Sequence, residues 1–155
     1  MMKTVIRKYR TDDLEEIMEL FYNTVHTINR RDYNTRQLNV WAGAHPDPEI
    51  WDQSLREHYS LVALRDGVIV GFGDMDVIGY LDRLYVHRDY QRQGIATMLL
   101  GELERGSGKS QITVHASITA KPFFESRGYQ VVREQEVERR GVFLTNFIMI
   151  KGYVR

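Results

Sequence analysis

The chain has 155 residues, 43% of them apolar and 27% charged, so we expect one globular domain over residues 1–155 with a single core. Its 21 basic and 21 acidic residues cancel, which argues against a nucleic-acid-binding protein because such proteins carry a basic excess. The chain has no cysteine, which excludes disulfides, thiolate metal sites and a cysteine nucleophile, and we predict no metal site.

The sequence carries no membrane or export signal that we recognise. No apolar run approaches the ~20 residues that a bilayer-spanning helix needs. Residues 1–8 lack the apolar core of a secretory signal. We therefore expect a soluble, cytoplasmic protein with no membrane partner.

The first third of the chain predicts one strand and two helices. Residues 4–8 form an apolar-rich strand, and 11–13 supply a helix cap. Apolar residues at three- and four-residue spacing over 14–28 predict an amphipathic helix. Residues 32–45 are a loop or short helix, and Asp47-Pro48 opens a second helix that runs through Leu55.

A meander of three strands follows. The runs 61–64 and 68–77 are joined by a hairpin turn at 65–67, and residues 80–86 form the third strand. A helix over 94–104 then ends at Arg105-Gly106.

The last third of the chain closes the sheet. Residues 111–116 predict a strand, and 119–127 predict a helix that ends at Gly128. The runs 129–138 and 142–151 form a final hairpin. The order βααβββαβαββ indicates an α/β (α+β) domain with a mixed, mostly antiparallel central sheet flanked by helices. The apolar strand 142–151 is a candidate for pairing across a homodimer, as edge strands can pair.

The junction between the strand 80–86 and the following helix indicates an anion site. Gly94 and Ala96 allow a ligand to approach the backbone closely. The free N–H groups of the first helical turn and the helix dipole favour a negative group, and Arg92 adds a positive side chain. These features suit a diphosphate. The alternative is a plain connection in which the glycine only eases a turn.

The same segment resembles motif A of the GNAT acetyltransferase superfamily, Gln/Arg-x-x-Gly-x-Gly/Ala after a strand. Gln91, Gly94 and Ala96 fill its three defining positions. Residues 117–129, SITAKPFFESRGY, are similar to the family's Asn-x-x-Ala-x-x-Phe-Tyr-Glu-Lys-x-Gly-Phe motif. The order of strands and helices also matches along nearly the full chain.

The resemblance implies that the chain binds acetyl-CoA as acyl donor. Backbone N–H groups from Arg92 to Thr97 would hold the pyrophosphate, and the pantetheine arm would lie where the strand ending at Val86 splays from the strand ending at Ala116. The Val86 N–H would polarise the thioester carbonyl. For Ser117 the alternative is a cap of the next helix. The implied cofactor-binding residues are Leu84, Tyr85, Val86, Gln91, Arg92, Gln93, Gly94, Ile95, Ala96, Thr97, Ser117, Phe123 and Phe124.

Direct acetyl transfer needs a neutral amine, and an alkyl amine has a pKa near ~10.4, so a base helps. The candidates are Asp82, His115 and Tyr80; the two-residue period of a strand places 80, 82 and 84 on one face. Asp82 could instead form a surface ion pair, and His115 could be a hydrogen-bonded core histidine.

The proton donor to the leaving thiolate is harder to assign. Many relatives use the Tyr of the Phe-Tyr pair, but Phe124 stands at that position and cannot donate. A thiol resembling that of cysteine has a pKa near ~8.5, so its anion leaves tolerably unaided. Tyr85, Tyr129 or a water are the alternatives.

The acceptor pocket of the family is usually built by the first helices and the loop between them. Aromatic rings with polar tips there suit a small organic amine. We therefore expect an N-acetyltransferase acting on a primary amine of a small molecule. The alternatives are a protein or peptide amine, which would need an open groove between the early loop and the last hairpin, and a non-catalytic acetyl-CoA-binding module. The predicted acceptor residues are His26, Asn29, Tyr33 and Trp41.

Overall fold

A computed structural model describes residues 3–152; residues 1–2 and 153–155 of the predicted domain lie outside the described part. The strands are β1 (Val5–Lys8), β2 (Tyr59–Arg65), β3 (Val68–Met75), β4 (Tyr80–Val86), β5 (Gln111–Ser117), β6 (Gln130–Arg139) and β7 (Val142–Gly152). The helices are α1 (Leu14–Thr27), α2 (Thr35–Trp41), α3 (Pro48–Glu57), α4 (Ile95–Ser107) and α5 (Lys121–Ser126). Within residues 3–152, no helix combines the length and apolar character needed to cross a membrane.

The strands form one seven-stranded sheet in the order β1-β2-β3-β4-β5-β7-β6. Neighbouring strands are antiparallel except β4 and β5, which run parallel. The β2–β3 hairpin turns at Asp66 and Gly67 with φ angles of 50° and 78°, the conformation of a two-residue hairpin loop. The predicted fold class, a mixed and mostly antiparallel sheet flanked by helices, is confirmed.

Helices cover both faces of the sheet because successive residues of a strand point to opposite faces. Phe72 of β3 packs with Ile17 of α1 and Leu55 of α3. The next residue, Gly73, faces α4, where an added Cβ would lie 2.9 Å from Leu103. Each such fully buried aliphatic side chain stabilises the fold by about 1.5–3 kcal/mol.

One open prediction is decided, and one helix differs from its predicted length. Residues 32–45, predicted as a loop or short helix, contain the short helix α2, which adds one helix to the predicted order. A capping box starts α2: Asn34 Oδ1 accepts from the Gln37 N–H and Gln37 Oε1 accepts from the Asn34 N–H, both at 2.9 Å. Helix α4 continues past the predicted end at 105–106, because the left-handed residue that ends it is Gly108 and not Gly106.

The last strand lies inside the sheet. β7 pairs with β5 on one side and with β6 on the other. Over residues 146–150 both edges of β7 are occupied, so the predicted pairing of strand 142–151 across a homodimer is wrong for that part of the strand. The edge strand at this end of the sheet is β6, and its charged Arg133, Glu134 and Glu136 disfavour edge-to-edge association.

Candidate active site

The parallel strands β4 and β5 separate partway along their length. The pairs that join them are Tyr80 with Thr113 and Leu81 with Val114. β4 nevertheless continues to Val86 and β5 to Ser117. A cavity of about 460 Å³ opens between the two strand ends, and it also contacts the beginnings of α4 and α5.

A bulge in β4 lies at the point of separation. Arg83 pairs with Asp74 and Leu81 pairs with Met75, so Asp82 has no partner in β3. Leu81 and Leu84 both pack in the core on the α4 side, although a regular strand would place them on opposite faces. The prediction that residues 80, 82 and 84 share one face is therefore wrong: beyond the bulge, Leu84 turns to the α4 side.

The backbone of Val86 faces the opening. The His87 N–H donates to Val70 O of β3 at 2.8 Å, and N–H groups of successive strand residues point to opposite edges, so the Val86 N–H points towards the β5 side. The Val86 carbonyl accepts from Gln91 Nε2 at 2.7 Å and from Thr24 Oγ1 at 3.0 Å. Gln91 thus holds the loop after β4 in place through its side chain.

The first turn of α4 presents free backbone donors. The residue before the helix, Gly94, has φ +80° and no side chain caps the turn. The Met98 N–H donates to Gly94 O, so the N–H groups of residues 95–97 precede the first helical bond and have no intrahelical partner. Together with the helix dipole and the adjacent Arg92, which also lines the cavity, they form a site for an anion.

Almost every predicted cofactor-binding residue lines the cavity. The exception is Gln93, whose side chain accepts a hydrogen bond from Arg65. Ser117 lines the cavity and accepts from the Ala120 N–H at 3.0 Å in the turn before α5. Because α5 begins at Lys121 after Ala120 and has no side-chain cap, the alternative role of Ser117 as a helix cap is wrong. The lining residues predicted from the sequence are Leu84, Tyr85, Val86, Gln91, Arg92, Gly94, Ile95, Ala96, Thr97, Ser117, Phe123 and Phe124.

The sequence interpretation missed several lining residues, among them Thr24 and Tyr90. Thr24 is a buried polar residue on the apolar side of α1, and that departure from the helix pattern was the available signal. Tyr90 follows the strand within the segment 88–90, a short turn of 3₁₀ helix, and nothing in its spacing marks it.

Two tyrosines line the cavity, Tyr85 and Tyr90, and each carries a hydroxyl group. Burial raises the pKa of Tyr85, so it stays protonated. Phe124 is buried, and its ring packs edge-on against Phe123 and Tyr129. Tyr129 donates its hydroxyl to Glu104 at 2.9 Å and is not part of the lining.

Asp82 brings a carboxylate to the cavity. Its side chain is 37% exposed, and the nearest Arg83 nitrogen lies 3.7 Å from Oδ2, too long for a hydrogen bond. Burial and the neighbouring Asp74 carboxylate raise the pKa of Asp82. Asp82 is therefore a better proton acceptor than an ordinary aspartate.

His115 also lines the cavity, with Tyr80 beside it. Burial, together with the charge of Arg133, lowers the pKa of His115, so the imidazole is neutral at pH 7 and able to accept a proton. Tyr80 is not part of the lining; its ring contacts that of His115 edge-on at 5.0 Å. Burial raises the pKa of Tyr80 to about 12, which keeps this hydroxyl protonated and makes it a poor base.

The predicted acceptor residues divide into two groups. Asn29 and Trp41 line the cavity, and His26 and Tyr33 do not. His26 Nε2 contacts the Ala42 carbonyl at 2.8 Å. The buried Tyr33 hydroxyl donates to Thr145 O at 2.6 Å and accepts from the Ile118 N–H at 2.9 Å, so it joins the segment before α2 to the last hairpin and to the loop after β5.

A second cavity, of about 420 Å³, adjoins the first, and Trp41 lines both. Its walls carry four aromatic rings and one carboxylate. The lining residues are Met18, Glu19, Phe21, Tyr22, Trp41, Ala42, Gly43, Ala44, Pro46 and Trp51.

Comparisons with known proteins identify the family. A model of the acetyltransferase (GNAT) domain matches residues 29–151. The uncharacterized N-acetyltransferase YafP of Escherichia coli (strain K12) is 38% identical over 144 residues, 93% of this chain and 93% of that protein. The crystal structure of a GCN5-related N-acetyltransferase from Rhodopseudomonas palustris superposes with a TM-score of 0.93 at 30% identity, over 99% of this chain and 98% of that one.

A more distant neighbour shares the fold. The PaiA N-acetyltransferase from Thermoplasma acidophilum, in complex with coenzyme A, superposes with a TM-score of 0.77 at 23% identity, over 98% of this chain and 100% of that one. The family model and the two closer relatives each cover most of the chain, in agreement with the motifs at 91–96 and 117–129. The chain therefore belongs to the GNAT family of acetyltransferases.

Proposed function

We propose that the chain is an acetyl-CoA-dependent N-acetyltransferase that transfers an acetyl group directly to a primary amine of a small molecule. The observation that carries this proposal is the shared cavity: the Val86 N–H, the uncapped first turn of α4 and the Asp82 carboxylate all face it. Coenzyme A bound by the fold neighbour from Thermoplasma acidophilum supports the same donor.

The donor is held by backbone groups more than by side chains. The N–H groups of residues 95–97 bind the diphosphate, and Arg92 adds a charge-assisted contact. The separated end of β4 offers hydrogen bonds to the amide groups of the pantetheine arm. Val86 N–H donates to the thioester carbonyl oxygen, and one such donor is worth about 3 kcal/mol of transition-state stabilisation.

Asp82 is the proposed base, with His115 as the alternative on the opposite wall. Asp82 accepts a proton from the bound ammonium, which frees the lone pair that attacks the thioester carbon. Transfer forms the amide N–C bond and breaks the C–S bond, and the nitrogen of the tetrahedral intermediate loses its second proton to the solvent. The thiolate then takes a proton from the solvent or from Tyr85 or Tyr90.

The second cavity is the proposed site for the body of the acceptor. A volume of about 420 Å³ lies within the ordinary size range of small-molecule sites, ~300–1,000 Å³. Its aromatic walls favour an apolar or aromatic group, and its one lining carboxylate, Glu19, favours a single cationic charge over a polycation. Trp41 lies between the two cavities, so the amine enters the first cavity past its ring.

Contacts between the early helices and the last hairpin disfavour a peptide acceptor. Gln37 Nε2 donates to Phe143 O at 2.9 Å, and Tyr33 donates to Thr145 O at 2.6 Å. These bonds close the path that an extended peptide would need between the early segment and the hairpin. A small molecule that enters beside residues 42–46 needs no such groove.

The test is acceptor-dependent release of free thiol from acetyl-CoA, with aromatic and alkyl monoamines, polyamines and peptides as candidates. We expect release with monoamines and a higher KM in Trp41→Leu. The matched control is Phe143→Leu, which removes an exposed aromatic ring outside both cavities. Release with peptides alone contradicts the small-molecule proposal. Stabilisation by acetyl-CoA without release for any amine indicates the non-catalytic module.

A further inference from the structure

A buried carboxylate lies beside the proposed base. Asp74 of β3 is 0% exposed, and Arg83 donates to both of its oxygens at 2.8 and 2.7 Å. His58 Nδ1 bonds to the same carboxylate at 2.7 Å. Arg83 pairs with both oxygens of Asp74, so its guanidinium neutralises this carboxylate. The group formed by Asp74 and His58 is therefore not open to a metal ion.

His58 joins this buried carboxylate to the solvent. It is the last residue of the turn that ends α3, and its side chain is 20% exposed. When the ring is neutral, the hydrogen bond to Asp74 places the proton on Nδ1 and leaves Nε2 as the acceptor. The charged groups that face His58 are Asp74 from β3 and Asp82 and Arg83 from β4.

Asp82 lies between His58 and the cavity. A ring nitrogen of His58 and a carboxylate oxygen of Asp82 are within 4.8 Å of each other, a span that one water bridges. Asp82 lines the 460 Å³ cavity, and His58 does not. For a proton that reaches Asp82 from the cavity, His58 is therefore a second acceptor, on the side of Asp82 away from the cavity.

Deprotonation of the substrate ammonium is favoured by a proton acceptor that is more basic than one carboxylate. An aspartate, with an ordinary pKa near ~3.9, is a weak base for an ammonium near ~10.4. An imidazole, with an ordinary pKa near ~6.5, is a stronger base than a carboxylate near ~3.9, and the hydrogen bond to Asp74 raises the pKa of His58 further. This difference drives a proton from Asp82 towards His58.

We propose that His58, held by Asp74, receives the acceptor's proton from Asp82 and releases it to the solvent. The inference rests on the proposed acetyl transfer. The ammonium N–H bond breaks as an O–H bond forms on Asp82; that bond then breaks as an N–H bond forms at His58 Nε2. His58 acts through Asp82 and touches no substrate, so it is a positioning residue.

The variant His58→Asn tests this role, because the Asn amide N–H replaces the Nδ1–H bond to Asp74 but cannot carry a proton. We expect kcat to fall about 10- to 100-fold, at the lower end of general base effects, with little change in KM. The step in kcat that follows His58 ionisation should vanish, and free imidazole should restore part of the rate. The control is Glu57→Gln, which neutralises an exposed titratable side chain next to His58 in sequence and outside both cavities.

A measurement without any acceptor separates this inference from the proposed function. The His58 ring is titrated by NMR in the parent protein and in Asp82→Asn, and we expect a lower pKa in the variant because a neighbouring negative charge is removed. An unchanged pKa overturns the coupling. An active parent whose His58→Asn variant keeps its rate and pH profile overturns the relay. A parent without thiol release for any amine overturns the proposed function and the relay that rests on it.

Discussion

Leu81 and Val114 form the last parallel pair between β4 and β5, and both side chains line the cavity that opens directly beyond them. The bulge at Asp82 follows at once on one strand. A bulge increases the local twist, so it turns the end of β4 away from β5. The same feature opens the cavity and places a carboxylate at its edge.

The carboxylate of Asp82 is expected to matter for activity and not for stability. Asp82→Asn should lower kcat about 100-fold, the scale of a lost general base. Because the pKa of Asp82 is raised on folding, its ionised form destabilises the fold above that pKa, and the effect disappears below the unfolded value. The melting temperature at pH 7 should therefore stay equal or rise.

Thiol-release kinetics and calorimetry at pH 5 to 8 check this expectation. Glu102→Gln, on the exposed side of α4, makes the same change of charge away from the cavity and serves as control. An Asp82→Asn variant with full activity would exclude Asp82 as the base and leave His115 as the alternative. His115→Ala should then abolish turnover.

The side chain of Arg92 is expected to contribute to donor affinity without stabilising the fold. Arg92 has φ +61°, which is strained for a residue with a side chain, so Arg92→Gly keeps the loop conformation and removes the charge. The Kd for acetyl-CoA should rise about tenfold, the value of one charge-assisted hydrogen bond. Calorimetric titration measures it.

Arg140 provides a matched control for that titration. It has φ +51° in the β6–β7 turn, far along the chain from α4, and it is exposed. Arg140→Gly removes the same charge and relieves the same kind of strain. Equal Kd values for the two variants would contradict a specific contact from Arg92.

Phe124→Tyr tests whether the missing hydroxyl limits the reaction. Since a thiolate of pKa near ~8.5 leaves readily, we expect kcat at pH 8 to change by less than about threefold. The substitution keeps the ring packing against Phe123 and Tyr129. An increase of about 100-fold would mean that proton donation to sulfur is rate-limiting in the parent.

An ion pair at the start of α1 should make stability depend on acid pH. Asp13 is buried and accepts from Arg7 at 2.8 and 2.9 Å and from the Arg10 N–H at 2.9 Å. Burial opposes its ionisation, but these bonds outweigh burial and lower its pKa. A lowered pKa adds stability above the unfolded value, near ~3.9, and the gain is lost as pH falls through the folded value.

Asp13→Asn should therefore reduce the free energy of unfolding by about 2 kcal/mol at pH 7, and by much less at pH 3. Urea unfolding at both pH values measures the difference. Asp12→Asn, at the exposed neighbouring position, should change the free energy of unfolding little. A cost for Asp13→Asn that is the same at both pH values would contradict the ion pair as its cause.

Local sequence patterns were sufficient to predict most of the helices and strands. The apolar stripe of α1, the hairpin at Asp66-Gly67 and the loop before α4 depend on residues near one another in sequence. Resemblance then predicted the cofactor cavity, because the residues that form it lie in two short motifs.

Features that depend on distant partners were not predictable. The bulge at Asp82 follows from the register between β3 and β4, which no local pattern encodes. Tyr33 was predicted as an acceptor residue because it has an aromatic ring with a polar tip. Its hydroxyl instead bonds to Thr145, 112 positions away. His58 and Asp74 likewise meet only because β2 and β3 pair.

The most direct test of the account is acetyl-CoA affinity measured on two neighbouring positions of α4. Thr97 lines the cavity, whereas Met98, in the same turn, is 42% exposed and does not. Both Thr97→Glu and Met98→Glu place an acid in the first turn, which the helix dipole tolerates. We predict that the parent binds acetyl-CoA, that Thr97→Glu weakens binding at least about 30-fold by repelling the diphosphate, and that Met98→Glu changes it less than about threefold in physiological salt. A parent that does not bind, or two variants with equal affinities, would contradict the placement of acetyl-CoA at this site.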